Sequence, residues 1–307
     1  MNTSDAPLLR QAATAAAGGQ HYPTGALYVV ATPIGNLADL SLRALHVLGL
    51  VDAIACEDTR HSAQLLRQFG IEGKPLLAVH EHNEREAAAD VLVRLARGER
   101  VACISDAGTP AVSDPGAGLV AAVRAAGHRI VPVPGASSAV TAVSVAGDIA
   151  GVGFDFVGFL PVRSGERARR LDSLAANPST QVLFEAPHRI ETFAVALAQA
   201  CGDRVLTVCR ELTKQFETVH TLSAADLPGW LAVDPNRTRG EFVLVLHALA
   251  RDATAGNGTA HDRTLQILLA QLPLKQAVAL AAELTDAPRN TLYERALAMK
   301  KKAAAPD

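Results

Sequence analysis

The sequence predicts an α/β protein: two strand–helix units followed by a small helical extension. Three observations point there. Short apolar runs alternate with segments whose apolar residues recur at helical spacing, the pattern of parallel strands joined by helices. Hydrophobic residues make up 49% of the chain but aromatic residues only 4%, so Ala, Val and Leu must fill the interior, as in sheets covered on both faces. The length, 307 residues, is that of about two domains.

Residues 1–25 are rich in Ala, Gly and Thr, with Arg10 their only Lys or Arg, and read as a disordered extension without a signal peptide. The first unit spans 26–134. Residues 27–32 (LYVVAT) form a strand, and LSLRALHVLG behind it starts a helix at Asp39 or Ser41. Residues 52–56 (DAIAC) form the second strand. Asn83 followed three residues later by Glu86 has the layout of a capping box for a helix that ends at Gly98. Residues 101–105 (VACIS) are a strand, 118–127 a helix, and 129–133 (RIVPV) a strand that its proline assigns to a sheet edge. The second unit, 135–249, opens with a helix of small residues and repeats the theme with longer strands: FDFVGFL, QVLFEA, RVLTVCREL and EFVLVLHAL. Helices at 165–176 and 188–200 lie between them. Residues 250–262 read as a linker, and 263–302 as three short helices with a sharp TDAPRN turn.

The net charge of −2 carries no global sign of nucleic acid, so an RNA-binding surface must be local. Two segments qualify. VRSGERARR (162–170) carries four arginines against Glu166, and 263–302 carries seven Lys or Arg against three Asp or Glu. Each is a solvated helix face or a phosphate contact; helices with a sharp turn and a basic end also suit a helix-turn-helix. Cys56, Cys103, Cys201 and Cys209 lack CxxC spacing and read as buried, reduced thiols of a cytosolic protein. No window is apolar enough for a membrane span. HEH (80–82) lacks a third ligand in order, so no metal site is expected.

The chemistry gathers at strand ends, where open α/β sheets bind ligands. ISDAGTPAVSDPG (104–116) is too poor in bulk to build core. SDAGTP offers backbone amides at Ala107, Gly108 and Thr109 and is stiffened by Pro110, which suits a polar ligand held by main chain. SDPG reads as a helix start, with Asp114 capping and Pro115 at the first position. ATPIGNL (31–37) is a second such loop and carries no dinucleotide fingerprint. CEDTRH, EAPHR and CRELTK place Glu57, Asp58, Arg60, Glu185, His188, Arg189, Arg210, Glu211 and Lys214 at further strand ends. His188 at a helix start reads as a cap or surface residue.

In order along the chain, LYVVATPIGNLADLSLRAL, DAIACEDTRHSAQLL, HEHNE, ISDAGTPAVSDPG, VPGASSAVTA, FVGFLP, LFEAPHRI, CRELTKQFE and GEFVLVL resemble the ribosomal RNA small subunit methyltransferase I family of the tetrapyrrole methylase superfamily. The resemblance covers about 25–248, and the tail is similar to that family's helix-turn-helix piece. It implies two tetrapyrrole-methylase-type α/β domains with a cofactor cleft between them, a homodimer, a cytoplasmic location and no membrane. It implies S-adenosylmethionine as cofactor and 2′-O-methylation of cytidine 1402, in the usual 16S rRNA numbering, in the decoding region of the 30S subunit. By motif match, the cofactor lies against Pro33, Ala107, Gly108, Thr109, Val112, Ser137, Ser138, Glu185 and Leu212. Candidates for a general base are Asp106, Glu57 and Glu185, with Lys214 as electrostatic partner. Arg60, Arg189, Arg210, Arg163 and Lys300 are the expected phosphate contacts. The chain has AGTP where tetrapyrrole enzymes carry a GGDP-type loop, and Ala186 where relatives tend to have Ser. A small-molecule (tetrapyrrole-like) methyltransferase and a non-catalytic RNA-binding assembly factor stand as the alternatives.

Overall fold

The computed structural model describes residues 5–80, 83–249, 261–285 and 287–303. The chain divides into two compact units, one reaching Ala248 and the other starting at Leu249.

The first sheet of the larger unit holds β1 (Ala26–Val30), β2 (Ala53–Cys56), β3 (Leu76–Ala78), β4 (Val101–Ile104) and β5 (Arg129–Val133). All are parallel, in the order β3-β2-β4-β1-β5. Successive strand side chains point to opposite faces, and both faces are covered. Tyr28, Val30 and Ile54 pack in one core with α2 (Leu42–Leu50) and α3 (Thr59–Gln68). Leu27, Ala55 and Cys103 pack in the other with α4 (Glu84–Ala96) and α5 (Ala117–Ala125). Pro132 stands on the edge strand β5, where a missing N–H costs no ladder bond.

Local chemistry departs from expectation at three places. The extension expected to be disordered over 1–25 is ordered where it is described, from residue 5: Ala6–Ala17 is a helix, α1, which buries Ala13 and Ala17 and packs on α2. Alanine-rich sequence is low in complexity but is also the best helix former. The Asn83–Glu86 capping box does not form, because the Asn83 side chain bonds His80 N and Ala78 O instead. Of the HEH motif, only His80 is among the described residues. Nor does Asp114 cap α5: the N-cap is Gly116, whose N–H donates to Glu84 Oε1 at 2.6 Å.

The second sheet holds β6 (Phe154–Phe159), β7 (Thr180–Glu185), β8 (Val205–Arg210), β9 (Thr218–Ser223) and β10 (Phe242–Leu246), in the order β6-β7-β10-β8-β9. Only β6 and β7 run parallel; the other pairs are antiparallel. The second sheet therefore does not repeat the first, as the sequence pattern of 135–249 led one to expect. A short loop after β8 folds the chain straight back as β9, and β10 then inserts between β7 and β8. The small side chains of α6 (Ser138–Ala146) let it lie close on the face carrying Val182 and Val245. Helices α7 (Ser164–Ala176), α8 (Ile190–Cys201) and α9 (Leu227–Ala232) cover the other face around Phe193, Leu197 and Leu244.

Asp148 ties the end of α6 to this sheet. Its carboxylate accepts from Thr180 Oγ1 at 2.6 Å, Ala248 N at 2.7 Å and Ala150 N at 3.1 Å. Burial would raise its pKa, but the bonds from Thr180 and Ala248 outweigh burial and hold it below the usual carboxylate range. A depressed folded pKa stabilises the fold above the unfolded value, and that contribution disappears as pH falls through the folded one. Asp148→Ala is expected to lower unfolding stability by roughly 1.5–3 kcal/mol at neutral pH, measured by urea denaturation, with the deficit shrinking in acid.

The smaller unit is the expected set of three helices: α10 (Asp262–Gln271), α11 (Leu274–Thr285) and α12 (Arg289–Ala303), closed around Leu265, Val278 and Leu292. Arg295 grips Asp262 with two hydrogen bonds, 2.6 and 2.8 Å. The linker expected at 250–262 falls almost wholly outside the described residues.

Candidate active site

The loops at the carboxyl ends of β1, β2 and β4 meet the loops that follow β7 and β8 and precede β10. Their contacts are close. Thr32 and Gly108 exchange backbone hydrogen bonds, 2.8 and 3.1 Å, which joins the two glycine–proline loops. Thr109 Oγ1 donates to Ala136 O at 3.0 Å. Gly108 has φ +80°, and a Cβ there would sit 3.3 Å from Ile34 Cγ2, so glycine fits both the backbone and the space. At Gly35 a Cβ would stand 2.5 Å from Lys214 Cγ. This is where the first-sheet loop presses on the loop after β8.

Two adjoining cavities lie in this crevice. The first, about 340 Å³, falls within the roughly 300–1,000 Å³ of small-molecule sites. Phe159, Phe184, Phe242 and Leu212 give it apolar walls, and the acidic residues Asp114, Glu185 and Glu241 border it. The Glu185 side chain is fully buried. Its Oε1 accepts from Ala186 N at 2.9 Å and pairs with Arg189 Nε at 3.1 Å, while Oε2 has no hydrogen-bond partner among the described residues. Burial pushes the Glu185 pKa up despite Arg189, and it does the same at Asp114. An apolar, aromatic cavity with an orphaned buried carboxylate oxygen is matched to a ligand with an apolar body and positive charge.

The second cavity, about 450 Å³, is bounded by Pro33 and Leu37, by His61, Gln64 and Gln68 on α3, and by Asp106 and Lys214. The two share Ile34, Ala107 and Glu241. Lys214 is held by Glu211 at 2.8 Å and Glu241 at 2.9 Å. Burial opposes its charge, but the two glutamates prevail and its pKa lies above the usual lysine range, so it is a fixed cation and not a base. Asp106 Oδ1 accepts from Asp58 N at 3.3 Å.

Backbone strain is confined to the same loops. Among the described residues, the non-glycine positions with positive φ are Ala111 (67°), Ser113 (65°), Glu211 (52°) and Thr213 (66°). Such conformations cost of order 1–3 kcal/mol each and cluster at ligand clamps.

The structure redistributes the residues singled out in the sequence. Ala107, Ser138, Glu185 and Leu212 line the first cavity; Pro33 and Asp106 line the second. Thr109 holds the loop, while Val112, Ser137 and Glu57 line neither cavity. The Gly108 N–H is not on offer to a ligand, because Thr32 O accepts it. Two expected phosphate contacts are spent inside the fold. Arg189 binds Glu185 and Leu160 O, and Arg210 donates to Arg239 O, Phe216 O and Thr218 Oγ1. Arg60 and Arg163 stand out into solvent, their side chains 93% and 85% exposed, and Lys300 is exposed on α12 of the smaller unit. Sequence reasoning passed over Ser113, Asp114 and the three phenylalanines as site residues. Aromatic residues on strands are ordinary core, and only the sheet pairing shows which of them end at the crevice.

The Tetrapyrrole (Corrin/Porphyrin) Methylases family matches residues 26–228, and the RsmI C-terminal HTH domain matches 255–300. The chain is 49% identical over 275 residues to the ribosomal RNA small subunit methyltransferase I of Pseudomonas aeruginosa, covering 89% of this chain and 97% of that one. Its counterpart in Escherichia coli O157:H7 is 44% identical over 276 residues, 89% of this chain and 95% of that one. Among solved structures, a diphthine synthase superposes with a TM-score of 0.57 at 18% identity, over 72% of this chain and 90% of that one. A cobalt precorrin-4 methyltransferase of cobalamin biosynthesis does so with 0.53 at 20%, over 74% and 98%. At that identity the structures share the fold alone. With near-half identity over most of both chains, and both family regions matched in order, this chain belongs to the ribosomal RNA small subunit methyltransferase I family.

Proposed function

We propose that this protein binds S-adenosylmethionine in the first cavity and methylates the 2′-hydroxyl of a cytidine, position 1402 in the usual 16S numbering, in the decoding region of small-subunit rRNA presented at the second. The observation that carries the cofactor reading is the orphaned Glu185 Oε2 in an aromatic, acidic cavity. A sulfonium and an ammonium on one ligand suit the carboxylates of Glu185 and Asp114 and a phenylalanine wall. Glu185, Asp114, Leu212 and Ser138 are the residues that hold the cofactor, which supplies an electrophilic methyl group.

The protein's own part is to seat the acceptor and manage its proton. Positioning of two reactants is worth up to roughly 7–11 kcal/mol in ideal cases. Asp106 faces the second cavity beside Ala107, which borders both, and takes the hydroxyl proton. Lys214, fixed as a cation at the same border, steadies the negative charge that develops on the acceptor oxygen. A tetrapyrrole acid fits poorly: among the described residues Lys214 is the sole Lys or Arg bordering this cavity, against the carboxylates Asp106 and Glu241.

Mass mapping tests the reading. 30S subunits from a strain lacking the modification, incubated with protein and cofactor, should gain one ribose methyl at the cytidine. No gain, or methyl transfer to a tetrapyrrole, would falsify it. Cofactor titration by calorimetry separates a catalyst from a non-catalytic assembly factor, which has no need to bind it.

RNA affinity should fall steeply with salt, as phosphate contacts release counterions. Arg60→Ala is expected to shave roughly 0.7–0.9 off the logarithmic salt slope, measured by binding titrations, whereas Arg210→Ala acts on stability instead. An unchanged slope removes Arg60 from the interface.

A homodimer is supported by the free edge of the second sheet. Ile149 and Val152 are almost fully exposed there beside Phe154 and Phe156 on β6. Val152→Asp together with Phe154→Glu should shift sedimentation from dimer to monomer. The proposed location is the cytoplasm, where four unpaired, buried cysteines stay reduced.

A further inference from the structure

The second cavity runs along one face of α3, and its lining has a division of labour that the methyl-transfer chemistry does not need. We infer that this groove seats the base of the acceptor nucleotide, swung out of its stack, and that Gln64 and Gln68 hydrogen-bond its polar edge. The inference rests on the rRNA reading above and adds the residues that hold the base.

Gln64 and Gln68 are four residues apart on the helix, so their side chains lie on one face. Both border the cavity, and neither side chain makes a hydrogen bond among the described residues. Leu65, Pro33, Ile34 and Leu37 give the same groove apolar surface, and its charged groups, Asp106, Lys214 and Glu241, border it as well. Two unspent amides in a groove with apolar surface are poorly matched to a sugar or a phosphate. They match a flat heteroaromatic ring with apolar faces and a polar rim.

Each amide presents a donor and an acceptor side by side. Its oxygen can accept from the N4 amino group of cytosine while its NH₂ donates to N3. Turned over, the same amide meets the edge of uracil, so these residues hold a flipped pyrimidine and leave uracil unexcluded.

The spacing also fits. The junction with the cofactor cavity lies at Ile34, Ala107 and Glu241. From His61 to Gln68 the helix advances by about 10 Å, enough for a ribose near the junction and its base beyond it. The platform is rigid. Asp58 caps the helix by accepting from Arg60 N at 2.7 Å, and Leu65 and Leu66 anchor it in the core. In the same first turn the Arg60 side chain stands in solvent, 93% exposed.

The test uses the full chain with 30S subunits carrying 4-thiouridine at the target position, irradiated in the presence of the cofactor. The crosslinked peptide should contain residues 59–68. Separately, Gln64→Leu/Gln68→Leu should lower kcat/KM for unmodified 30S subunits by ~10-fold or more, the scale of one bidentate amide–base pair, with cofactor affinity unchanged. A crosslink confined to other segments, or normal kcat/KM in the double variant, overturns the inference. Wild-type protein that transfers no methyl to 30S subunits at all overturns the rRNA reading itself, so the two failures are distinct.

Discussion

Asp106→Ala is expected to slow methyl transfer by ~10²–10⁴-fold while leaving S-adenosylmethionine affinity within error of wild type. The split follows from where the side chain stands. Asp106 borders the second cavity, whereas the orphaned carboxylate oxygen of the first belongs to Glu185. Its Oδ1 accepts from Asp58 N, and Oδ2 is the oxygen proposed to take the acceptor proton. Glu57 borders neither cavity, so Glu57→Ala should act far more weakly. Single-turnover rates with saturating cofactor and 30S subunits check both. Normal turnover in the Asp106 variant would leave the acceptor proton to solvent.

Glu185→Gln should weaken cofactor binding by roughly 10–100-fold without unfolding the protein, the range of one hydrogen bond to a charged group. Glutamine keeps an oxygen for Ala186 N and Arg189, the partners that Oε1 has now. It replaces the orphaned Oε2 with an NH₂, which repels a cationic ligand. The wild-type protein should also show a pH dependence of known sign. Burial raises the Glu185 pKa in the free protein, and a bound cation pulls it back down. Binding then expels a proton, so affinity is full above the raised value and falls as pH drops through it. Calorimetry in buffers of different ionisation enthalpy should detect that proton, and Glu185→Gln should flatten the profile. A proton count that survives the substitution would move the effect to Asp114, whose pKa is raised for the same reason.

Much of this was legible in the chain. The first sheet was readable because buried parallel strands are continuous apolar runs, and Pro132 marked its edge strand. The strand-end loops were legible as sites because so little bulk cannot be core. Helix α1 was hidden because an Ala-rich stretch reads as low complexity until a partner, here α2, buries one side of it. The two arginines assigned to phosphates were misplaced for a related reason. Arg189 and Arg210 carry the same charge as Arg60, and nothing local says that carbonyls and a glutamate wait for them.

The sequence alone determined the α/β class, the helical extension and the loops where chemistry gathers, because each is written in local patterns of apolar spacing and turn residues, and its ordered motifs carried the resemblance to the family. Tertiary structure decided the rest: the antiparallel insertion of β10, the division of the crevice into two cavities, and which charges face them. Those outcomes depend on contacts between residues far apart in the chain, such as Thr32 with Gly108 and Lys214 with Glu241. Whether a charged side chain meets solvent, a partner or an empty cavity is a property of what folds against it, and no local pattern encodes that.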